Sequence, residues 1–255
     1  MKLGFIGAGN LGEQAITRLA EQYEIRVADP EKKASVEKRV LGYFSYDEVL
    51  NESDIIFLTV KPNKIDEILK ETKSSLNSKI FISFMAGTTL EKLENILGNE
   101  VKIIRGMPTL GIGTGNSPIA ITSNFDIQET SKDLMNLMNM MGRTIEIEEE
   151  KFDAFTAILG AGPAYFSFLA KSLSEIAEKE GFSDSEEWVN DLLIGTSKMF
   201  DEENKKNNFD RIMKMVASKG GVTEKAIERM ESDGFEKIIS DAINEAIQRS
   251  RELGK

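Results

Sequence analysis

Gly7, Gly9 and Gly12 fall in a G-x-G-x-x-G spacing inside GFIGAGNLG, after a short apolar run and at the head of a segment with helical period. That spacing brings backbone N–H groups close to a pyrophosphate. The first glycine allows a tight turn, the second lets the backbone approach the phosphates, and the third lets helix pack close to strand. A helix N-terminus adds unpaired N–H groups and the positive end of a dipole. An ordinary glycine-rich turn in an α/β protein is the competing explanation. Context weighs against it, because an acid, Asp29, ends the next strand in VADPEK. An acid there accepts hydrogen bonds from ribose hydroxyls and repels a 2′-phosphate, which leans the cofactor toward NADH over NADPH. Lys32 and Lys33 follow closely and still offer a countercharge to such a phosphate. Asp29 also precedes Pro30 and suits starting a turn or capping a helix; these roles are compatible.

What the chain lacks narrows the chemistry further. Its 255 residues contain no cysteine and no histidine. Disulfides, zinc–thiolate sites and thiol catalysis are therefore excluded, and no metal site is expected. A histidine general acid or base is equally excluded, so any acid must be another group. The net charge of -11 opposes binding to nucleic acid or anionic membranes, and also serves simply to keep the chain soluble. The N-terminus lacks the pattern of a signal peptide, and no stretch approaches a membrane-spanning run of unbroken apolar residues. A cytoplasmic protein is the resulting expectation.

The elements that must position these residues are readable from periodicity. Short apolar runs at Lys2–Ile6, Tyr23–Ala28, Asp54–Val60, Lys79–Phe84, Val101–Arg105 and Ser117–Thr122 read as strands. Helical segments at Leu11–Gln22, from Ile65 to Leu69 and at Leu90–Leu97 alternate with them. That alternation predicts a doubly wound, mostly parallel sheet. Beyond Glu150 the pattern is helical only: Lys151–Leu159, Ala164–Glu180, Asp184–Phe200, Phe209–Ser218, Thr223–Glu231 and Phe235–Leu253. We place a boundary near Glu149–Phe152, giving an α/β dinucleotide domain over 1–150 and an all-α domain over 151–255. The acidic run EIEEE reads as a solvated linker. Met135, Met138, Met140 and Met141 read as core or interface filler, and Trp188 and Phe200 as packing between helices. The many apolar helix faces in so small a C-terminal domain predict dimerisation.

GFIGAGNLG, VKP at Val60–Pro62, MAG at Met85–Gly87, MP at Met107–Pro108, GPAY at Gly162–Tyr165, SKGGVT at Ser218–Thr223 and RSREL at Arg249–Leu253 occur in one order. In that order they resemble the pyrroline-5-carboxylate reductases, over nearly the whole chain. The resemblance implies reduction of 1-pyrroline-5-carboxylate to proline by NADH or NADPH, the last step of proline synthesis. It implies an N-terminal Rossmann domain and a C-terminal helical domain that interlocks with that of a second subunit, in dimers that often assemble further. Ile6, Gly7, Ala8, Gly9, Asn10 and Leu11 would line the pyrophosphate and nicotinamide side. Val60, Lys61 and Pro62, with Ala86 and Gly87, would border the cofactor at the sheet's carboxyl edge. Ser218, Gly220, Gly221 and Thr223 would hold the substrate carboxylate, with Thr223 near the ring nitrogen as the catalytic hydroxyl.

This chemistry suits a histidine-free chain. A cyclic imine is basic enough to be protonated before or during hydride transfer, and the iminium is already a strong electrophile. Alignment and exclusion of water are then the main tasks. A hydroxyl or a water can supply the proton. Several residues depart from the family pattern. Thr109 stands for its asparagine, Leu159 and Ala161 for its serines, Lys171 for an acid and Lys219 for the proline of the carboxylate loop. These departures keep two other functions open: a catalytically silent dinucleotide-binding relative, and a reductase of a related imine. Without the resemblance, the Gly220–Gly221 pair reads equally as a helix–helix connector with Thr223 as N-cap, and Lys61 as a solvated lysine at a helix start. Lys171 reads as a helix-surface or subunit-contact residue.

Overall fold

The computed structural model describes residues 1–70, 76–127, 132–201 and 208–254. By packing, the chain divides into two compact units, Met1–Pro163 with Ala246–Lys255, and Ala164–Glu245. The first division falls after Pro163, beyond the 150/151 boundary expected from the loss of strands. Phe152 and Phe155 explain the difference: both are buried against Ala120 and Met107 of the sheet.

The first unit is an eight-stranded sheet in the order β3-β2-β1-β4-β5-β6-β7-β8. The strands are β1 (Leu3–Ile6), β2 (Ile25–Ala28), β3 (Gly42–Tyr43), β4 (Ile55–Leu58), β5 (Ile80–Ser83), β6 (Lys102–Met107), β7 (Ser117–Ser123) and β8 (Gly142–Glu146). Neighbours pair in parallel except β6 with β7, which are antiparallel. β1 and β4 are buried along their whole length, as strands covered on both faces must be.

Alternation sends side chains into two cores. Leu3, Phe5, Ile25, Val27 and Phe57 pack with Ala15, Ile16 and Leu19 of α1 (Asn10–Leu19) and with Leu134, Leu137, Met138 and Met141 of α6 (Lys132–Met141). Ile6, Ile56, Leu58 and Phe81 pack on the other face. There they meet Val49 and Leu50 of α3 (Tyr46–Glu52), Ile65 and Ile68 of α4 (Pro62–Lys70), and Leu93 and Leu97 of α5 (Leu90–Leu97). Phe5 and Phe57 stack at 4.5 Å across adjacent strands. The methionines of α6 are core filler, as their spacing suggests. α2 (Ala34–Glu37) completes the first unit's helices before the chain turns helical.

From Glu149 the chain is one helix to Lys179 with changing pitch. A 3₁₀ turn, Glu149–Lys151, leads into α7 (Phe152–Phe155), a π turn at Thr156–Gly160 and α8 (Gly162–Lys179). Its 31 residues include a window of mean hydropathy 1.2, only 17% buried, long and apolar enough by composition to cross a membrane. The stretch is not an unbroken apolar run, since Gly160, Gly162, Pro163 and Lys171 interrupt it. Those glycines and Pro163 interrupt the apolar run but do not break the helix. Its exposed apolar side chains include Phe166 and Phe168.

The second unit, with the end of the chain, adds α9 (Ser185–Asp201), α10 (Asn208–Val216), α11 (Val222–Ser232) and α12 (Phe235–Gly254). Trp188 does not pack between helices. It is 62% exposed and meets Phe182 with ring centroids 5.8 Å apart. Phe200 meets Phe209 edge-on at 5.2 Å, as interhelical packing requires.

Candidate active site

β1 lies between β2 and β4, so the chain reverses its winding direction there, and open sheets hold ligands outside the strand ends at such a point. Ile6 pairs with both Ala28 and Leu58, and Leu58 with Ser83. Gly7, Asp29, Thr59 and Phe84 therefore leave the sheet side by side.

The glycine turn has a separate reason at each position. Gly7 takes φ +99°, and a Cβ there would lie 2.9 Å from the Thr59 carbonyl carbon and the Val60 nitrogen. A Cβ on Gly12 would sit 2.7 Å from Thr59 Oγ1 and 2.8 Å from the Gly7 carbonyl oxygen. A Cβ on Gly9 would meet nothing within 4 Å. Gly9 is the N-cap of α1 and offers no side chain to the helix N-terminus, leaving those N–H groups to another acceptor.

A cleft of about 440 Å³ opens here. Gly7, Gly9, Asp29, Val60 and Lys61 line it, together with Pro30, Tyr46, Thr59, Lys64, Glu67 and Ile68. Of the remaining expected residues, Asn10 and Pro62 are exposed beside it and Leu11 is half-buried against the core. Ile6 and Ala8 are buried, so only their backbones face outward chemistry. Ala86 and Gly87 follow β5 at the same edge, and Gly87 lines a neighbouring pocket of about 220 Å³ with Thr89, Arg105, Glu149, Glu150 and Asp153.

Asp29 also holds the turn together. One carboxylate oxygen accepts the Ala8 N–H at 2.6 Å and the other the Glu31 N–H at 2.7 Å. Thr59, which the sequence reading passed over, donates to the Gly7 carbonyl at 2.7 Å and packs on Gly12. Its signal was its place just after a buried strand. Glu13 of α1 accepts from Lys33 Nζ at 3.0 Å and from the Ser35 hydroxyl. The Ser35 hydrogen bond first, then Lys33, holds the Glu13 carboxyl below its ordinary value. Lys33 is thus engaged with an acid, while Lys32 lies 6.0 Å over the Tyr43 ring.

Ser218–Thr223 lies in the second unit, between α10 and α11. Gly220 has φ +75°, and the N-cap of α11 is Gly221. Thr223 is therefore inside the helix, not its N-cap as the connector reading had it. Glu224 accepts the Gly220 N–H at 2.6 Å, a carboxylate held by a backbone N–H at a helix start. An open hollow beside the loop is lined by Gly220, Gly221 and Val222, but not by Ser218 or Thr223.

The departing residues have local explanations in part. Thr109 caps the short turn Leu110–Thr114: its hydroxyl accepts the Gly111 N–H at 3.0 Å, a task asparagine also performs. Leu159 lies in the π turn, which Ala161 closes by donating to the Thr156 carbonyl at 2.9 Å. Lys171 is exposed and 3.7 Å from Glu175 one turn on. Nothing in the structure explains Lys219.

A glycine turn at the winding reversal of a doubly wound sheet, backed by an open helix N-terminus, defines a dinucleotide-binding α/β protein. Residues 2–87 match the family model described as NADP oxidoreductase coenzyme F420-dependent, and 149–253 that described as pyrroline-5-carboxylate reductase dimerisation. The pyrroline-5-carboxylate reductase of Aquifex aeolicus is 31% identical over 99% of this chain and 97% of its own length. The Plasmodium falciparum pyrroline carboxylate reductase, solved with NADP bound, superposes at TM-score 0.87 with 29% identity, covering 100% of this chain and 98% of its own. A pyrroline-5-carboxylate reductase from Coxiella burnetii superposes at 0.83 with 25% identity and the same coverage of each chain. The chain belongs to the pyrroline-5-carboxylate reductase family, oxidoreductases that act on a C=N bond.

Proposed function

We propose that this protein reduces 1-pyrroline-5-carboxylate to L-proline with a nicotinamide dinucleotide, preferring NADH. One observation carries the reading: the Gly9 turn faces open space at an uncapped helix N-terminus in a chain aligned along its whole length with such reductases. The residues fit the cofactor. Gly7, Ala8, Gly9, Asn10 and Leu11 present backbone to the pyrophosphate, with Ile6 ending the strand behind them. Val60, Lys61, Pro62, Ala86 and Gly87 border the nicotinamide side. When bound, the dinucleotide supplies the hydride. The protein's own part is to fix both reactants, exclude water and keep a proton within reach of the ring nitrogen.

In the second unit, Ser218, Gly220 and Gly221 hold the substrate carboxylate, and the Thr223 hydroxyl serves the ring nitrogen. In the structure Glu224 occupies the Gly220 N–H, so a substrate carboxylate takes that donor only as the Glu224 side chain gives it up. Residues 1–150 act as the dinucleotide domain and 151–255 as the substrate and dimerisation domain, in a cytoplasmic homodimer or dimer-based assembly.

The test is direct. Purified protein with pyrroline-5-carboxylate and NADH or NADPH should consume reduced cofactor and yield proline. Measurable dinucleotide binding without turnover would leave a silent relative; turnover of a six-membered imine alone would select another substrate. For the cofactor, both Asp29 oxygens already carry a backbone N–H, yet a carboxylate retains further acceptor sites for a ribose. Asp29→Ala should raise the Kd of NADH more than that of NADPH. Equal losses would confine Asp29 to holding the turn.

A further inference from the structure

Glu149 belongs to an acidic run that reads as a solvated linker, but two hydrogen bonds tie it into the fold. Its Oε1 accepts the Leu90 N–H at 2.7 Å and Arg105 Nη1 at 2.7 Å. Leu90 is the first residue of α5, Arg105 lies in β6, and Glu149 starts the helix that runs to Lys179. The Arg105 guanidinium is only 8% exposed and lies 4.3 Å from the centre of the Phe152 ring, so it cannot swing away.

The segment this junction holds is the turn Ala86–Thr89. The turn enters from β5 and leaves into α5, so the first turn of α5 sets its far end. Its own bonding is weak. Gly87 sits at φ +69°, and the buried Thr88 hydroxyl has no hydrogen-bond partner. Thr89 spends its side chain on the Lys92 N–H within α5. A turn that cannot hold itself depends on what clamps its ends.

We propose that Glu149 is a positioning residue: through the Leu90 N–H it sets the Ala86–Gly87 turn at the height hydride transfer requires. The inference rests on the reading of that turn as the nicotinamide border. It predicts dependence on reach rather than on charge, because a misplacement of about 1 Å can cost up to about a hundredfold in rate.

Two substitutions separate reach from charge. Glu149→Gln keeps the length and an acceptor oxygen but loses the charge opposite Arg105. Glu149→Asp keeps the charge, which prevents an uncompensated buried guanidinium, but is shorter by one methylene and cannot span both partners. With saturating pyrroline-5-carboxylate and NADH, kcat of Glu149→Asp should fall about tenfold and that of Glu149→Gln by no more than about threefold. Kd for the dinucleotide should stay within about threefold for both, since the phosphate turn is untouched. Thermal stability should rank oppositely, with Glu149→Asp above Glu149→Gln. A kcat that follows the stability ranking, or wild-type kcat in both variants, overturns the proposal. Wild-type protein inactive on pyrroline-5-carboxylate would instead overturn the proposed function, so the two failures are distinguishable.

Discussion

Gly9 and Gly12 are separated by less than one helical turn, yet they answer to different constraints. An alanine at Gly12 places a methyl group within 2.8 Å of Thr59 Oγ1 and the Gly7 carbonyl oxygen, so helix and strand must separate. We expect Gly12→Ala to lower stability by roughly 1–3 kcal/mol, as overpacking does, visible in thermal unfolding without cofactor. Gly9 has φ -61° and open space around it, so Gly9→Ala should fold normally. It should nonetheless weaken dinucleotide binding at least about tenfold, or ~1.4 kcal/mol. Binding unchanged in a folded Gly9→Ala would show that no phosphate approaches there. The motif was legible because glycine at those offsets has few other uses between strand and helix. Glu149 and Thr59 were not legible, because their partners lie 44 to 59 residues away for the first and 52 for the second. Spacing along the chain carries no trace of such contacts.

α1 and the segment entering α2 are joined by Glu13, Lys33 and Ser35. Glu13 is held below its ordinary carboxyl value in the folded state, so this tie contributes stability above the unfolded value. The contribution is lost as pH falls through the folded value. Glu13→Gln should therefore lower Tm at pH 7, where the tie is fully formed, and converge on the wild type as pH falls below about 4.3, the usual glutamate range, flattening the acid side of the Tm–pH profile. Identical acid limbs in the two proteins would remove Glu13 from the account. Elements were legible where burial imposed a long period, as in α5, whose observed limits are those read from sequence. β3, only two residues long and starting at Gly42, carries no period to read. α3 was missed although Ser45 and Glu48 form a capping box that spells its start. β8, with a single large apolar residue in GRTIE, resembles a loop until β7 pairs with it.

At the scale of the whole molecule, α8 presents exposed apolar surface that a single chain leaves uncovered. Phe168 is 74% exposed and Phe166 66% exposed, within the span matched by the dimerisation family. The wild type should sediment as a dimer or larger, and Phe168→Asp should give a folded monomer by sedimentation and circular dichroism. A variant that sediments like the wild type would remove this face from the assembly. Chain order adds a constraint of another kind. The first unit includes Ala246–Lys255, and the Ser250 hydroxyl donates to Asp153 within it. During synthesis the glycine turn leaves the ribosome more than two hundred residues before the piece that completes its own unit. A nascent chain can form most of the sheet early, but Asp153 meets Ser250 only after translation has reached the final helix.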